Sequence, residues 1–124
     1  MKTEDKVKQV HRYIEAVSGH DLEKIRSVYS IDATVEDPVG SGVHSGIDAI
    51  CEFYRGAFRS GVELELAGPV RCGADFAAFP FVATTHAGKN DLRIDVIDVF
   101  EFDSAGKVRS MRAYWGPDNC EPIP

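Results

Sequence analysis

The 124-residue chain is 44% hydrophobic and 27% charged, with a formal net charge of −6 at pH 7. A chain of this length builds one compact core, so residues 1–124 are expected to form a single domain, and the composition excludes disorder. The acidic balance argues against nucleic acid or an anionic membrane as the main partner, while leaving a neutral, apolar ligand open.

The opening MKTEDKVKQV is charged and carries no apolar stretch of the secretory kind. No run elsewhere is long and apolar enough to cross a bilayer, so the expectation is a cytoplasmic protein with no membrane partner. Val7, Val10, Ile14 and Val17 fall on one face of a first helix, with Lys6, Lys8, Arg12 and Glu15 around it. Thr3 reads as its N-cap, Glu4 and Asp5 favour the first turn, and Gly19 ends it. Tyr13 lies at the edge of the apolar stripe, its ring toward the core and its hydroxyl toward any cavity beneath.

A short second helix runs from Asp21 to Tyr29, with Leu22, Ile25 and Val28 inward. Asp32 to Gly42 then reads as a short extended piece entering a Gly- and Pro-rich loop. Asp37 sits at the end of that piece, because Pro38 disfavours helical geometry in the residue before it. A third helix follows Ser45-Gly46, uses Ile47, Ile50, Phe53, Tyr54 and Ala57, and stops near Ser60-Gly61.

From Val62 the period changes to two. Val62, Leu64 and Leu66 alternate with Glu63 and Glu65, and Gly68-Pro69 interrupts before Val70 to Cys72. Phe76 to Thr85 is the next strand, in which Pro80 points to an edge or a bulge. Gly88-Lys89-Asn90 turns into the long strand Asn90 to Phe102, and Asp103 to Gly106 turns again into Lys107 to Trp115. The tail beyond Gly116-Pro117 is expected to be loose. Three helices followed by a four-strand meander predict an α+β fold, in which helices cover one face of a curved antiparallel sheet and enclose a cavity. Cys51, Cys72 and Cys120 are odd in number and form no zinc pattern, so they read as reduced thiols and no metal is expected.

One residue breaks the long strand's pattern. Leu92, Ile94, Val96, Phe100 and Phe102 share a phase, and Asp98 sits in it with them. A buried carboxyl is costly when ionised and unpaired, so it either stays protonated or finds a partner such as an arginine or a bulge. Protonated, it becomes a hydrogen-bond donor suited to a developing oxyanion. Asp37 before Pro38 serves equally as a turn initiator or as a base at a loop edge. Tyr13, Tyr29 and Tyr54 fit core tyrosines with wet hydroxyls as well as they fit catalytic groups. His11, His20, His44 and His86 are scattered and suggest no site. No nucleophile elbow, phosphate loop or dinucleotide fingerprint is present.

Five segments together carry a resemblance. The run Arg12-Tyr13-Ile14-Glu15, the stretch Asp32 to Gly40 (DATVEDPVG), Phe53-Tyr54-Arg55, Asp95 to Phe100 (DVIDVF) and Arg112 to Trp115 (RAYW) resemble bacterial Δ5-3-ketosteroid isomerase, in order and across nearly the whole chain. The resemblance implies a cone-shaped fold of the nuclear-transport-factor-like, SnoaL-like kind, working as a homodimer on a small hydrophobic steroid without metal or organic cofactor. It implies Asp37 as general base, and Tyr13 with protonated Asp98 as the oxyanion hole. Tyr29 and Tyr54 match supporting tyrosines, and Val39, Phe53, Phe79, Phe81, Phe100, Met111 and Trp115 match the pocket wall. Two rival readings remain on the same cone. One is another enzyme, of polyketide cyclase or dehydratase type, which needs a histidine or an Asp-Arg-Asp cluster that this chain lacks. The other is a non-catalytic module that binds a small hydrophobe.

Overall fold

Three helices, α1 (Thr3–Ser18), α2 (Leu22–Val28) and α3 (Ile47–Phe58), close over the inner face of a curled eight-stranded sheet. All 124 residues are described in the computed structural model. The strands are β1 (Tyr29–Glu36), β2 (Val43–Ser45), β3 (Glu63–Leu66), β4 (Arg71–Gly73), β5 (Phe76–Thr85), β6 (Asp91–Phe102), β7 (Val108–Tyr114) and β8 (Cys120–Ile123). Their order is β2-β1-β7-β6-β5-β3, with β4 also on β5 and β8 also on β6. The architecture is α+β, as the pattern predicts, and has the cone form that the resemblance implies.

The long strand β6 is the spine. It pairs with β5 from Leu92 to Glu101, and its other edge is shared by β8 near the start and β7 near the end. Val96, Asp98, Phe100 and Phe102 face inward and are buried, while Asp95, Ile97 and Glu101 face out. Phe79 on β5 and Phe100 on β6 are completely buried. Each such ring contributes about 1.5–3 kcal/mol by leaving water, and the pair forms the floor on which α1 lies.

Several expectations change. The piece before Asp37 is a full eight-residue strand, β1, and it begins at Tyr29 rather than after it. β1 lies parallel to β7, so the sheet is mixed. Parallel pairing joins residues far apart in sequence and leaves no hairpin signal to read. The tail is not loose either. After one 3-10 turn at Pro117–Asn119, β8 pairs antiparallel with the first residues of β6, Asp91 to Ile94. Pro80 does mark a bulge, but the extra residues are on the facing strand. Between Leu66 opposite Phe81 and Arg71 opposite Ala78, the segment Ala67 to Val70 bows away. Pro80 offers its carbonyl to Ala67 N at 3.0 Å, and its missing N–H falls in that gap.

The ends of α1 also differ in detail. Thr3 is its first helical residue, and the cap position belongs to Lys2. Lys6 is only 4% exposed instead of lying among the outward charges. Its ammonium donates to Gly73 O at 3.0 Å and Ala74 O at 2.6 Å, so the buried charge is met by two carbonyls and ties the helix to the β4–β5 turn. Gly19 is the C-cap, and a side chain is disfavoured there because a Cβ would lie 2.9 Å from Glu15 O. The left-handed conformation is taken by the next residue, His20, whose ring bonds Val62 O at 2.9 Å and stacks on Phe58. No helix is long and apolar enough to cross a membrane.

Candidate active site

Tyr13 occupies the middle of α1, one turn after Val10 and one before Val17, and all three are buried. Its ring meets four others edge-on: Phe100 at 5.1 Å, Phe79 at 6.1 Å, Tyr54 at 6.2 Å and Tyr29 at 6.5 Å between centroids. Edge-to-face packing on so many sides fixes the ring and therefore the direction of its hydroxyl. Tyr54, from α3, donates to Tyr13 Oη at 3.2 Å. Tyr29 and Tyr54 share a bond of 2.6 Å. A phenol has one hydrogen, so with Tyr54 giving its own to Tyr13, Tyr29 is the donor to Tyr54. The chain of hydroxyls runs Tyr29 to Tyr54 to Tyr13 and leaves the Tyr13 hydrogen free for another acceptor.

Asp98 stands across from Phe79 on β5 and Ala113 on β7. It is 1% exposed, and neither oxygen has a hydrogen-bond partner in the protein. Tyr13 and Asp37 are near enough to influence its protonation. Burial drives its pKa well above the ordinary carboxyl range, and the Asp37 charge pushes the same way against a weaker opposing pull from Tyr13. Burial likewise raises Tyr13, Tyr29 and Tyr54, so the environment favours the neutral form throughout the group. The bridging arginine that would have made Asp98 a structural ion pair does not exist.

Asp37 follows directly on the last residue of β1, in a half-buried position. The parallel pairing of β1 and β7 brings it to Trp115, whose indole N–H donates to Asp37 Oδ1 at 2.7 Å. The loop after it is pinned to the same strand through Val39 N to Ala113 O at 2.9 Å. Burial raises the Asp37 pKa, while the Trp115 bond and the nearby His44 pull it down. The two carboxyls are thus pushed apart, with Asp98 shifted strongly and Asp37 less. His44, which the sequence left without a role, packs its ring on Phe53 at 4.7 Å.

Tyr13, Asp37 and Tyr54 face a cavity of about 200 Å³, whereas Asp98 and Tyr29 are buried behind its wall. Tyr13, Asp37, Tyr54, Phe53, Phe81 and Trp115 are on its wall. Phe79, Phe100 and Met111, matched to the wall by resemblance, are instead completely buried in the layer behind it. They lie on the inward phase of β5, β6 and β7 beneath Tyr13, so they shape the wall without forming its surface. Val39 sits on the loop, 41% exposed and outside the cavity, because the turn beginning at Pro38 carries it away. Val17, Ala57, Val62, Leu64, Ala83 and Ile94 complete the apolar lining, with Ser60 and Thr85 as its remaining polar members. Most of these continue the phases already visible at Val62, Leu64, Phe79 and Phe81. No cluster of three or more His, Cys, Asp or Glu side chains is arranged to hold a metal ion.

The chemistry open to this arrangement is narrow. The wall holds the phenols of Tyr13 and Tyr54 with the acid of Asp98 buried behind it, the Asp37 carboxyl flanks the cavity, and most of the remaining lining is apolar. Such a site can take a proton from carbon while stabilising charge that moves to an oxygen.

Comparison with known proteins agrees with that chemistry. The model of the SnoaL-like domain matches residues 10–111. The chain is 43% identical over 115 residues to Steroid Delta-isomerase from Nocardioides simplex, covering 93% of each protein. It also superposes, with a TM-score of 0.91 and 28% identity, on the solved structure of the epoxide hydrolase/cyclase-like enzyme SalBIII, described for pyran ring formation in the polyether salinomycin. That match covers 99% of this chain and 100% of SalBIII.

Proposed function

Because the chain belongs to the SnoaL-like domain family, as a ketosteroid isomerase of the nuclear-transport-factor-like superfamily, we propose that it converts 3-oxo-Δ5-steroids to conjugated 3-oxo-Δ4-steroids through a dienolate. Asp37 removes the proton between the ketone and the alkene and returns it two carbons along. Tyr13 and protonated Asp98 donate to the ketone oxygen as it becomes an oxyanion. Tyr29 and Tyr54 hold Tyr13 in place. The proton removed is returned and no electrons leave the substrate, so the scheme consumes no cofactor.

The observation that carries this reading is Asp98, buried to 1% exposure with both oxygens unpartnered. An orphaned acid is costly, and it is tolerable where a ligand supplies its missing partner. The ground-state ketone accepts weakly and the dienolate oxygen strongly, so donors aimed there favour the transition state over the substrate. Asp37 is kept ionisable by Trp115 and His44, and its charge in turn keeps Asp98 neutral, since two close carboxyls resist ionising together. Conversion of a Δ5-3-ketone should raise near-ultraviolet absorbance on adding purified enzyme alone. A flat trace at enzyme concentrations that bind the ligand would end the isomerase reading.

The same proposal includes a homodimer, built on residues 1–124 as one cytoplasmic domain with three unpaired cysteines. The outer face of the sheet offers Ile97 and Tyr114, cross-strand neighbours that are 50% and 44% exposed. Around a two-fold axis such a patch meets its own copy, so Ile97→Glu sets like charges against each other in an apolar contact. Sedimentation equilibrium should give a dimer for the wild type and a monomer for Ile97→Glu. An unchanged dimer would put the interface elsewhere.

A further inference from the structure

The edge strand β2 turns its apolar residue out and its imidazole in. Val43 is 57% exposed, whereas His44, between two exposed neighbours, is half-buried. Antiparallel pairing sets His44 opposite Val35 and Val43 opposite Glu36. Ala33 and Val35 are the buried phase of β1, and Asp37, directly after the strand, continues that phase to the cavity. His44 and Asp37 are therefore diagonal neighbours on one face of the β1–β2 pair. Such neighbours are about 7–8 Å apart, within reach of a long or aromatic side chain. The imidazole is also steadied, because its ring packs on Phe53 of α3 with planes 38° from parallel. Phe53 and Asp37 both line the cavity, and His44 backs them without lining it.

The other ionisable groups around this pair are engaged elsewhere or neutral. Trp115, directly after β7, reaches the Asp37 carboxyl with an uncharged N–H. Tyr13 of α1 and Asp98 of β6 are buried, and burial favours the neutral form of both. Glu36 belongs to the opposite face of β1, where it accepts Gly40 N at 3.0 Å and stands opposite exposed Arg112 of β7. On α3, which packs on β2, Asp48 pairs with Arg26 at 3.4 Å and Glu52 pairs with Arg55. Cys51 and Tyr54 of that helix are buried, and burial holds both toward the uncharged state. Burial raises the Asp37 pKa, and the Trp115 bond and His44 oppose it, His44 being the group that can do so with a full charge.

Resting on the isomerase reading for the role of Asp37, we propose that His44 is a positioning residue of the reaction, whose imidazolium stabilises the Asp37 carboxylate from behind the cavity wall and so sets how acidic a solution the enzyme tolerates. A histidine carries its charge on the acid side of neutrality and loses it above. The attraction is thus present where an aspartate base would otherwise take up a proton, and absent where that base is ionised anyway. Opposite charges about 7 Å apart in a half-buried setting favour the ionised carboxylate by about threefold to tenfold.

The test follows kcat/KM on a Δ5-3-ketone from about pH 8 down to about pH 4 in the wild type, His44→Gln and His44→Lys. The ratio of wild type to His44→Gln should grow by about threefold to tenfold toward acid, whereas His44→Lys, which keeps a cation, should hold the wild-type acid limb. A ratio that stays constant with pH would reduce His44 to packing on Phe53 and overturn the proposal. An acid limb that moves to lower pH in His44→Gln would overturn it too. Carbon-13 NMR of the Asp37 carboxyl in the same proteins gives a second readout that needs no turnover, and its titration should move to higher pH in His44→Gln. If it does so while the wild type isomerises nothing, the isomerase reading falls and the hold of His44 on Asp37 stands. If the wild type isomerises and that titration does not move, the proposal falls alone.

Discussion

Asp37→Asn is expected to lower kcat by about four orders of magnitude, the upper end of what one positioned base contributes, while affinity for a phenolic mimic of the dienolate is retained or improved. The amide keeps the shape and can still accept the Trp115 N–H, which reaches Oδ1 at 2.7 Å in the parent. What it cannot do is take a proton from carbon. Removing the charge also relieves the repulsion that Asp37 exerts on Asp98 and Tyr13, so an anionic ligand at that pole meets less opposition. Pre-steady-state absorbance and calorimetry together separate the two effects. Loss of both turnover and binding would mean a damaged cavity, and full turnover would remove Asp37 from the mechanism.

The pH profile of the parent follows from the same residue. With the Asp37 carboxylate as the proposed base, the rate should rise with pH through the Asp37 pKa and fall away below it. Burial raises that pKa, which moves the rise upward from where an exposed aspartate would put it. The ring N–H of Trp115 opposes the shift, so its loss should carry the rise further toward neutrality.

How much of this was legible depended on how local each signal was. The phase of Asp98 along the Asn90–Phe102 run is a nearest-neighbour fact, and the burial of Val96, Phe100 and Phe102 beside it follows the alternation directly. Tyr13 beside Ile14, between Val10 and Val17, is equally local. The partnership of Trp115 with Asp37 was not, because it depends on a parallel contact between strands separated by most of the chain. The β8 strand escaped notice for a related reason. Cys120 to Ile123 contains a proline and little apolar pattern, and its place is fixed by an open edge of β6 rather than by its own residues. Lys6 shows the same limit on α1, since its two carbonyl partners belong to a turn 67 and 68 residues away. Resemblance matched Phe79, Phe100 and Met111 to the cavity, but it could not separate the lining from the layer supporting it.

Asp98 allows a sharper experiment than loss of rate alone. Asp98→Ala should cost about a hundredfold to a thousandfold in kcat, as expected for one oxyanion donor, whereas Asp98→Asn keeps a donor and should lose less. Stability should move the other way. The folded carboxyl has its pKa well above normal, because burial penalises its charge, whereas in the unfolded chain it titrates near the ordinary value of about 3.9. Between the two values the native state holds a proton that the unfolded state has released, so stability falls as pH rises through that window. The contribution is whole below the unfolded pKa and gone above the folded one. Asn does not titrate, so Asp98→Asn should gain on the parent in urea unfolding as pH is raised from 4 to 8. A gap that is the same at both ends would mean that Asp98 ionises like an exposed aspartate, and it could not then be the neutral donor the mechanism requires.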